Sequence, residues 1–302
     1  MWNVPYSYRY LSPPILCTLS VFVLVLWHHP KEANVMEGVK AIPYGKSRFE
    51  EVRNKNLYYV DKTMYLPLLE ETGDYLFLIR PRRFGKSLFV SMMQCYYDQS
   101  YADRFDTLFD GLWIKEHPTP LKNAFQLIYF DFSKANRGIG DLKSNFNAYL
   151  CSVLKVFMER YKDCYSENAY RTVMETADSG AALGAIDEEA RFKGYPLYLI
   201  IDEYDNFTNV VLTEHGTDVF KRLTHASGFY REYFKTFKAM FSHVFLIGVS
   251  PVTLDDLSSG YNITGAFPKT PVSMPCWVSA TAMCAPCSNI IRIKGSSVQI
   301  PT

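Results

Sequence analysis

The stretch that most constrains this chain is Tyr75–Ser87, which reads YLFLIRPRRFGKS. Tyr75 to Ile79 is a short apolar run with the length and the aromatic and β-branched content of a buried strand. It stops at Arg80-Pro81. Gly85-Lys86-Ser87 follows, and then Leu88, Phe89, Met92, Met93 and Tyr96 recur at helical spacing. Strand, Gly-Lys-Ser turn and helix is the context that a phosphate-binding loop requires. Gly85 lets the backbone approach a phosphate, and the helix N-terminus presents N–H groups and a partial positive charge to it. In such a loop Lys86 reaches the β- and γ-phosphates and Ser87 holds Mg²⁺ through its hydroxyl. One part of the pattern G-x-x-x-x-G-K-[ST] is missing, because Arg80 stands where the first glycine belongs. Taken alone, the stretch reads equally well as a surface turn that contains Gly-Lys-Ser, and the rest of the chain has to separate the two.

Three further apolar runs have strand character: Phe125–Phe132, Pro196–Ile201 and Val244–Val249. Between them lie helical patterns. Asp61 or Thr63 is placed to cap a helix through Tyr65, Leu66, Leu68 and Leu69, closed by Gly73-Asp74. Tyr101–Leu112 reads as a short helix ended by Gly111, and Asp141–Tyr161 as a long amphipathic one. Ser166–Ala177 is expected to be helical, Ser179–Gly184 to be a loop of small residues, and Asp218–Met240 to hold one or two helices. The Phe/Tyr stripe Phe229–Phe237 reads as core. Apolar strands alternating with amphipathic helices predict an α/β fold built on a parallel sheet flanked by helices.

Ligands in open α/β sheets bind at the C-terminal ends of the strands. The third run leads straight into Asp202-Glu203, the arrangement called Walker B. There Asp202 would hold Mg²⁺, and Glu203 would orient the water that attacks the γ-phosphate. A solvated turn after a strand is the plainer reading of Asp202-Glu203 by itself. Two half-signals in the right order favour a nucleotide site. The expected nucleotide contacts are therefore Arg82, Arg83, Phe84, Gly85, Lys86 and Ser87, with Ser250 as a sensor residue at the end of the fourth run. Ser87 and Asp202 are the expected Mg²⁺ ligands, and Glu203 and Lys86 the catalytic pair. An earlier triplet, Gly45-Lys46-Ser47, is read as a decoy, since no buried strand precedes it.

RPRRFGKS, IIDEYDNF, GVSPVTLDDLSSGYNI and YYVDKT together resemble the AAA-ATPase-like family over roughly Ala41 to Ile263. Its members couple a degenerate P-loop ATPase domain to a C-terminal nuclease-like domain of the PD-(D/E)XK superfamily. The resemblance implies a P-loop NTPase fold of the additional-strand type, ATP and Mg²⁺ as ligands, phosphate and metal contacts at Gly85, Lys86 and Ser87, and a hydrolytic pair at Asp202 and Glu203. Arg80 is the usual form in that family. No role follows for Asp61-Lys62-Thr63.

Composition bounds the remainder. The chain has 302 residues, 48% hydrophobic, with a formal net charge of +1, which gives no global electrostatic case for nucleic acid or a membrane surface. Seven scattered cysteines form no disulfide framework, and Cys276, Cys284 and Cys287 lack a fourth ligand for zinc. Asn206-Phe207-Thr208 and Asn262-Ile263-Thr264 match the glycosylation pattern and are read as chance.

The apolar run Ile15–Trp27 is short for a membrane span. Residues 1–35 have three readings: an anchor, a signal peptide, or a non-native extension with translation starting at Met36, the one preferred. The expected organisation is a leader to residue 35, the ATPase-like domain over 36–265, and an irregular Pro/Ser/Cys-rich tail over 266–302. No Asp or Glu follows Asp256, so a nuclease metal site is not expected there. The expected function is Mg-ATP binding and hydrolysis by a cytoplasmic protein, with membrane contact only through residues 15–27. The rival is a non-catalytic nucleotide-binding module, and a third reading is a truncated product without a stable fold. The protein partner, the process and the oligomeric state are not legible.

Overall fold

The computed structural model describes residues 40–135, 141–224 and 228–249, and all its described elements belong to one compact unit that begins at Ala41. Ser250, the apolar run at 15–27, the tail over 266–302 and its cysteines lie outside these residues. In chain order the strands are β1 (Tyr75–Ile79), β2 (Gln126–Asp131), β3 (Leu197–Asp202) and β4 (His243–Gly248). The helices are α1 (Phe49–Asn54), α2 (Leu66–Thr72), α3 (Lys86–Tyr97), α4 (Phe105–Leu108), α5 (Trp113–Glu116), α6 (Leu142–Arg160), α7 (Glu167–Glu175), α8 (Ser179–Lys193), α9 (Asn206–Thr224) and α10 (Phe229–Met240). Among the described residues, no helix is long and apolar enough to cross a membrane.

The strands form one parallel sheet in the order β1-β4-β3-β2. Period-two alternation splits their side chains between two cores. Phe77, Ile128, Phe130, Leu199, Ile201, Val244 and Leu246 face α6–α10. Leu76, Leu78, Leu127, Tyr198, Ile200, Phe245 and Ile247 face α1–α5. Covered on both faces, β3 is buried at every position, which is why its sequence is a continuous apolar run rather than an alternating one. Each such Leu, Ile or Phe contributes about 1.5–3 kcal/mol by leaving water.

At the β2 edge the two layers are sewn together by one carboxylate. Asp98, fully buried at the end of α3, accepts hydrogen bonds from Ser100 N at 2.8 Å, from Arg160 on α6 at 2.9 Å and from the Tyr161 hydroxyl.

Two sequence expectations change. Ser179–Gly184 is not a loop but the first turns of α8. Asp178 caps it by accepting from Gly180 N at 2.9 Å, and Ala182, Leu183, Ile186 and Ala190 are a buried stripe. Ala181, Ala182 and Leu183 are strong helix formers, and with the buried stripe they outweigh the glycines Gly180 and Gly184. The Tyr101–Leu112 segment is a 3₁₀ turn over Gln99–Arg104 followed by the single turn of α4. In addition, Asn206-Phe207-Thr208 lies at the start of α9, with Phe207 and Thr208 fully buried.

The end of β4 is closed tightly. Asp205 accepts from Val249 N with both oxygens at 3.2 Å. A Cβ on Gly248 would collide with that carboxylate and stand 2.6 Å from Cε1 of the buried Tyr204. Gly248→Ala is expected to lower stability by about 1–3 kcal/mol through overpacking, seen as a lower urea midpoint at unchanged m-value. An unchanged midpoint would mean that this corner is slack.

Candidate functional site

β1 leaves the sheet at Ile79, but Arg80 N still donates to Gly248 O at 3.0 Å. Pro81 has no N–H and ends the pairing. Arg82, Arg83 and Phe84 are exposed, and only Arg83 (φ 69°) and Gly85 (φ 74°) in this loop are left-handed. Arg80 therefore occupies a backbone conformation open to any residue, which is why a side chain is tolerated where the motif has glycine. The strain sits at Arg83 instead, about 1–2 kcal/mol. Gly85 caps α3, and no side chain accepts from the first N–H groups of that helix.

Two residues turn from this helix toward β3. Lys86 is 5% exposed and curls back so that Nζ lies 3.5 Å from Pro81 O and 3.5 Å from Glu203 Oε1. Ser87 Oγ donates to Asp202 Oδ2 at 2.9 Å. The other Asp202 oxygen accepts from Glu203 N at 2.9 Å, and Glu203 is itself left-handed (φ 54°). A non-glycine held this way costs about 1–3 kcal/mol and persists only where its surroundings enforce it. Asp202 is 2% exposed. Burial raises its pKa from 3.8 to about 6; the Ser87 hydrogen bond works against this, and the nearby Glu203 and Asp131 charges add to it. Asp131 is its register partner on β2 and pairs with Lys134 at 2.9 Å.

A cleft of about 780 Å³ opens over the loop. Arg82, Arg83, Gly85, Lys86, Ser87 and Glu203 line one side. Ile42, Tyr44, Tyr58 and Val60, from the segment before α2, line another. The structure thus brings Arg82, Arg83, Gly85, Lys86, Ser87, Asp202 and Glu203 together. Phe84 is 41% exposed and is not among the lining residues, and Ser250 is outside the described residues. Among the described residues Gly45-Lys46-Ser47 follows no strand, yet all three residues line the cleft.

Sequence reasoning missed Lys62, whose Nζ lies 3.4 Å from the position a Cβ on Gly85 would take. Its signal in the sequence is the YYVDKT run, from which no role follows by itself. Among the described residues, no group of three or more His, Cys, Asp or Glu could hold a metal by itself.

Fold and site define an α/β protein whose parallel sheet carries a cationic, glycine-started helix beside two strand-end carboxylates. The chain belongs to the family described as "Predicted AAA-ATPase", whose profile matches residues 43–258. Membership supports nucleotide binding of the ATPase type. The chain is also 39% identical over 87 residues to an "Uncharacterized protein in vnfD 5'region" of Azotobacter chroococcum mcd 1. That match covers 26% of this chain and 16% of the relative's length. No solved structure matches the chain.

The Asp202 carboxyl has a testable linkage. Its folded pKa is raised, so the protonated form contributes stability that is fully present below 3.8 and lost as pH rises through about 6. Asp202→Asn should therefore gain on wild type as pH rises from 4 to 8, by on the order of 2–3 kcal/mol, in denaturation of the nucleotide-free protein. A stability difference that does not vary with pH would refute this.

Proposed function

We propose that the chain binds Mg-ATP in this cleft and hydrolyses it as a P-loop NTPase of the additional-strand type. The observation that carries the reading is the 2.9 Å contact between Ser87 Oγ and Asp202 Oδ2. It joins the two half-motifs across the sheet, with β4 inserted between their strands. A hydroxyl and a carboxylate side by side are hard oxygen donors of the kind Mg²⁺ takes, and Mg²⁺ commonly completes its shell with phosphate oxygens and water rather than with an all-protein cage. The residues fit the ion, and a buried carboxylate raised toward 6 is one that a cation would hold ionised. Bound there, Mg²⁺ would supply charge compensation on the phosphates.

The chain's own groups divide the remaining work. Gly85 and the first N–H groups of α3 cradle phosphate oxygens. Lys86, already buried, offsets their charge without a large desolvation step at binding. Glu203 now shares its proximity with Lys86 at 3.5 Å. A phosphate that takes over Lys86 leaves Glu203 to accept hydrogen bonds from water and orient it for in-line attack. The aromatic and apolar wall of Ile42, Tyr44, Tyr58 and Val60 suits a nucleobase, while the cationic side suits the phosphates.

Binding and phosphate release measured in parallel test the reading. Lys86→Ala should weaken Mg-ATP binding by about 1.5–3 kcal/mol, the worth of a charge-assisted contact; equal affinity would remove Lys86 from the site. Glu203→Gln should leave binding nearly intact and slow hydrolysis roughly 10²–10⁴-fold. Wild-type protein that binds Mg-ATP but releases no phosphate would make the cleft a nucleotide-responsive module instead of an ATPase.

A further inference from the structure

Lys62 belongs to a segment for which neither motif chemistry nor family membership supplies a role. Its neighbours fix it in place. Asp61 Oδ1 accepts from Thr63 N at 2.8 Å and from Thr63 Oγ1 at 2.7 Å, and Asp61 Oδ2 accepts from Trp113 N at 2.7 Å. The fully buried Thr63 accepts in turn from Ile114 N through Oγ1 at 3.1 Å. The backbone on both sides of Lys62 is thus tied to the first turn of α5, and its side chain is delivered against Gly85, the residue that starts α3.

We propose that Lys62 is a second phosphate-gripping cation of the cleft, closing with Lys86 on the terminal phosphates of a bound nucleoside triphosphate, and that Asp61 and Thr63 are its positioning residues. This rests on the nucleotide reading above and extends it to substrate class. Among the described residues, the charged side chains lining the cleft are Lys46, which pairs with Glu51 at 2.7 Å, Lys62, Arg82, Arg83 and Lys86, against the carboxylate of Glu203. Such an excess of cations favours a polyanion over a monophosphate. Holding Lys62 half-buried disfavours its charged form, and burial lowers its pKa to about 8. An anion brought to hydrogen-bonding distance favours the charged form and so opposes that shift. The clamp also reduces the side-chain and backbone freedom lost on binding, so more of the contact appears as affinity.

The test uses the full chain and compares wild type, Lys62→Met and Lys86→Ala by calorimetric titration with Mg-ATP and with adenosine. Lys62→Met should raise the Kd for Mg-ATP about 10- to 100-fold and leave that for adenosine unchanged. In wild type, Mg-ATP should slow amine-directed labelling of Lys62, read by mass spectrometry, while adenosine should not; this arm decides if Lys62→Met fails to fold. Wild-type affinity in Lys62→Met with loss in Lys86→Ala would overturn the role of Lys62 and leave the nucleotide site standing. Equal losses for ATP and adenosine, or labelling indifferent to ATP, would also overturn it. Absence of Mg-ATP binding by wild type would remove the nucleotide reading itself, and this inference with it.

Discussion

The hydrogen bond from Ser87 to Asp202 is the constraint on which the rest of the site depends. Its donor sits one residue into α3 and its acceptor is the last residue of β3, and β4 lies between their strands. For the bond to form, the loop after β1 must reach over the end of β4. At that end Gly248 carries no side chain, and Asp205 and Tyr204 occupy the space that one would take. A bulkier residue there would push the strand ends apart before any ligand arrived.

The same corner is where the chain departs from its lowest-energy choices. Arg83 and Glu203 are non-glycine residues with left-handed backbones, Asp202 is a buried carboxylate with a raised pKa, and Lys86 is a buried ammonium. Outside it, among the described residues, the left-handed non-glycine residues are the asparagines Asn56 and Asn123, whose short side chains tolerate that conformation, and the buried charge at Asp98 is paired. Local costs gathered at one concave end of a parallel sheet are what preorganisation for a charged ligand looks like.

Much of the sheet was legible because buried parallel strands are short apolar runs, and all four strands lie within a residue or two of where those runs predicted them. The loop, the start of α3 and the two carboxylates after β3 were legible for a related reason: their chemistry is contiguous in sequence. Helix α8 was not, although Asp178 before it and Gly194 after it (φ 74°) are ordinary end signals. Its opening Ser179 and its glycines Gly180 and Gly184 read as a loop, while the buried stripe that holds it as a helix only emerges in the packed core. Lys62 was hidden because its place beside Gly85 depends on a residue in a different element.

What the amino-acid sequence determined by itself was the alternation of strand and helix, the phosphate-loop pattern and the Asp-Glu pair, since each depends on spacing along a few residues. Only the tertiary structure decided that Ser87 meets Asp202, that Lys86 faces Glu203, that the early Gly45-Lys46-Ser47 segment walls the same cleft, and that Lys62 lies against Gly85. These contacts join residues far apart in the chain. Such contacts depend on the order in which strands enter a sheet, and that order is set by packing the whole core rather than by any local stretch.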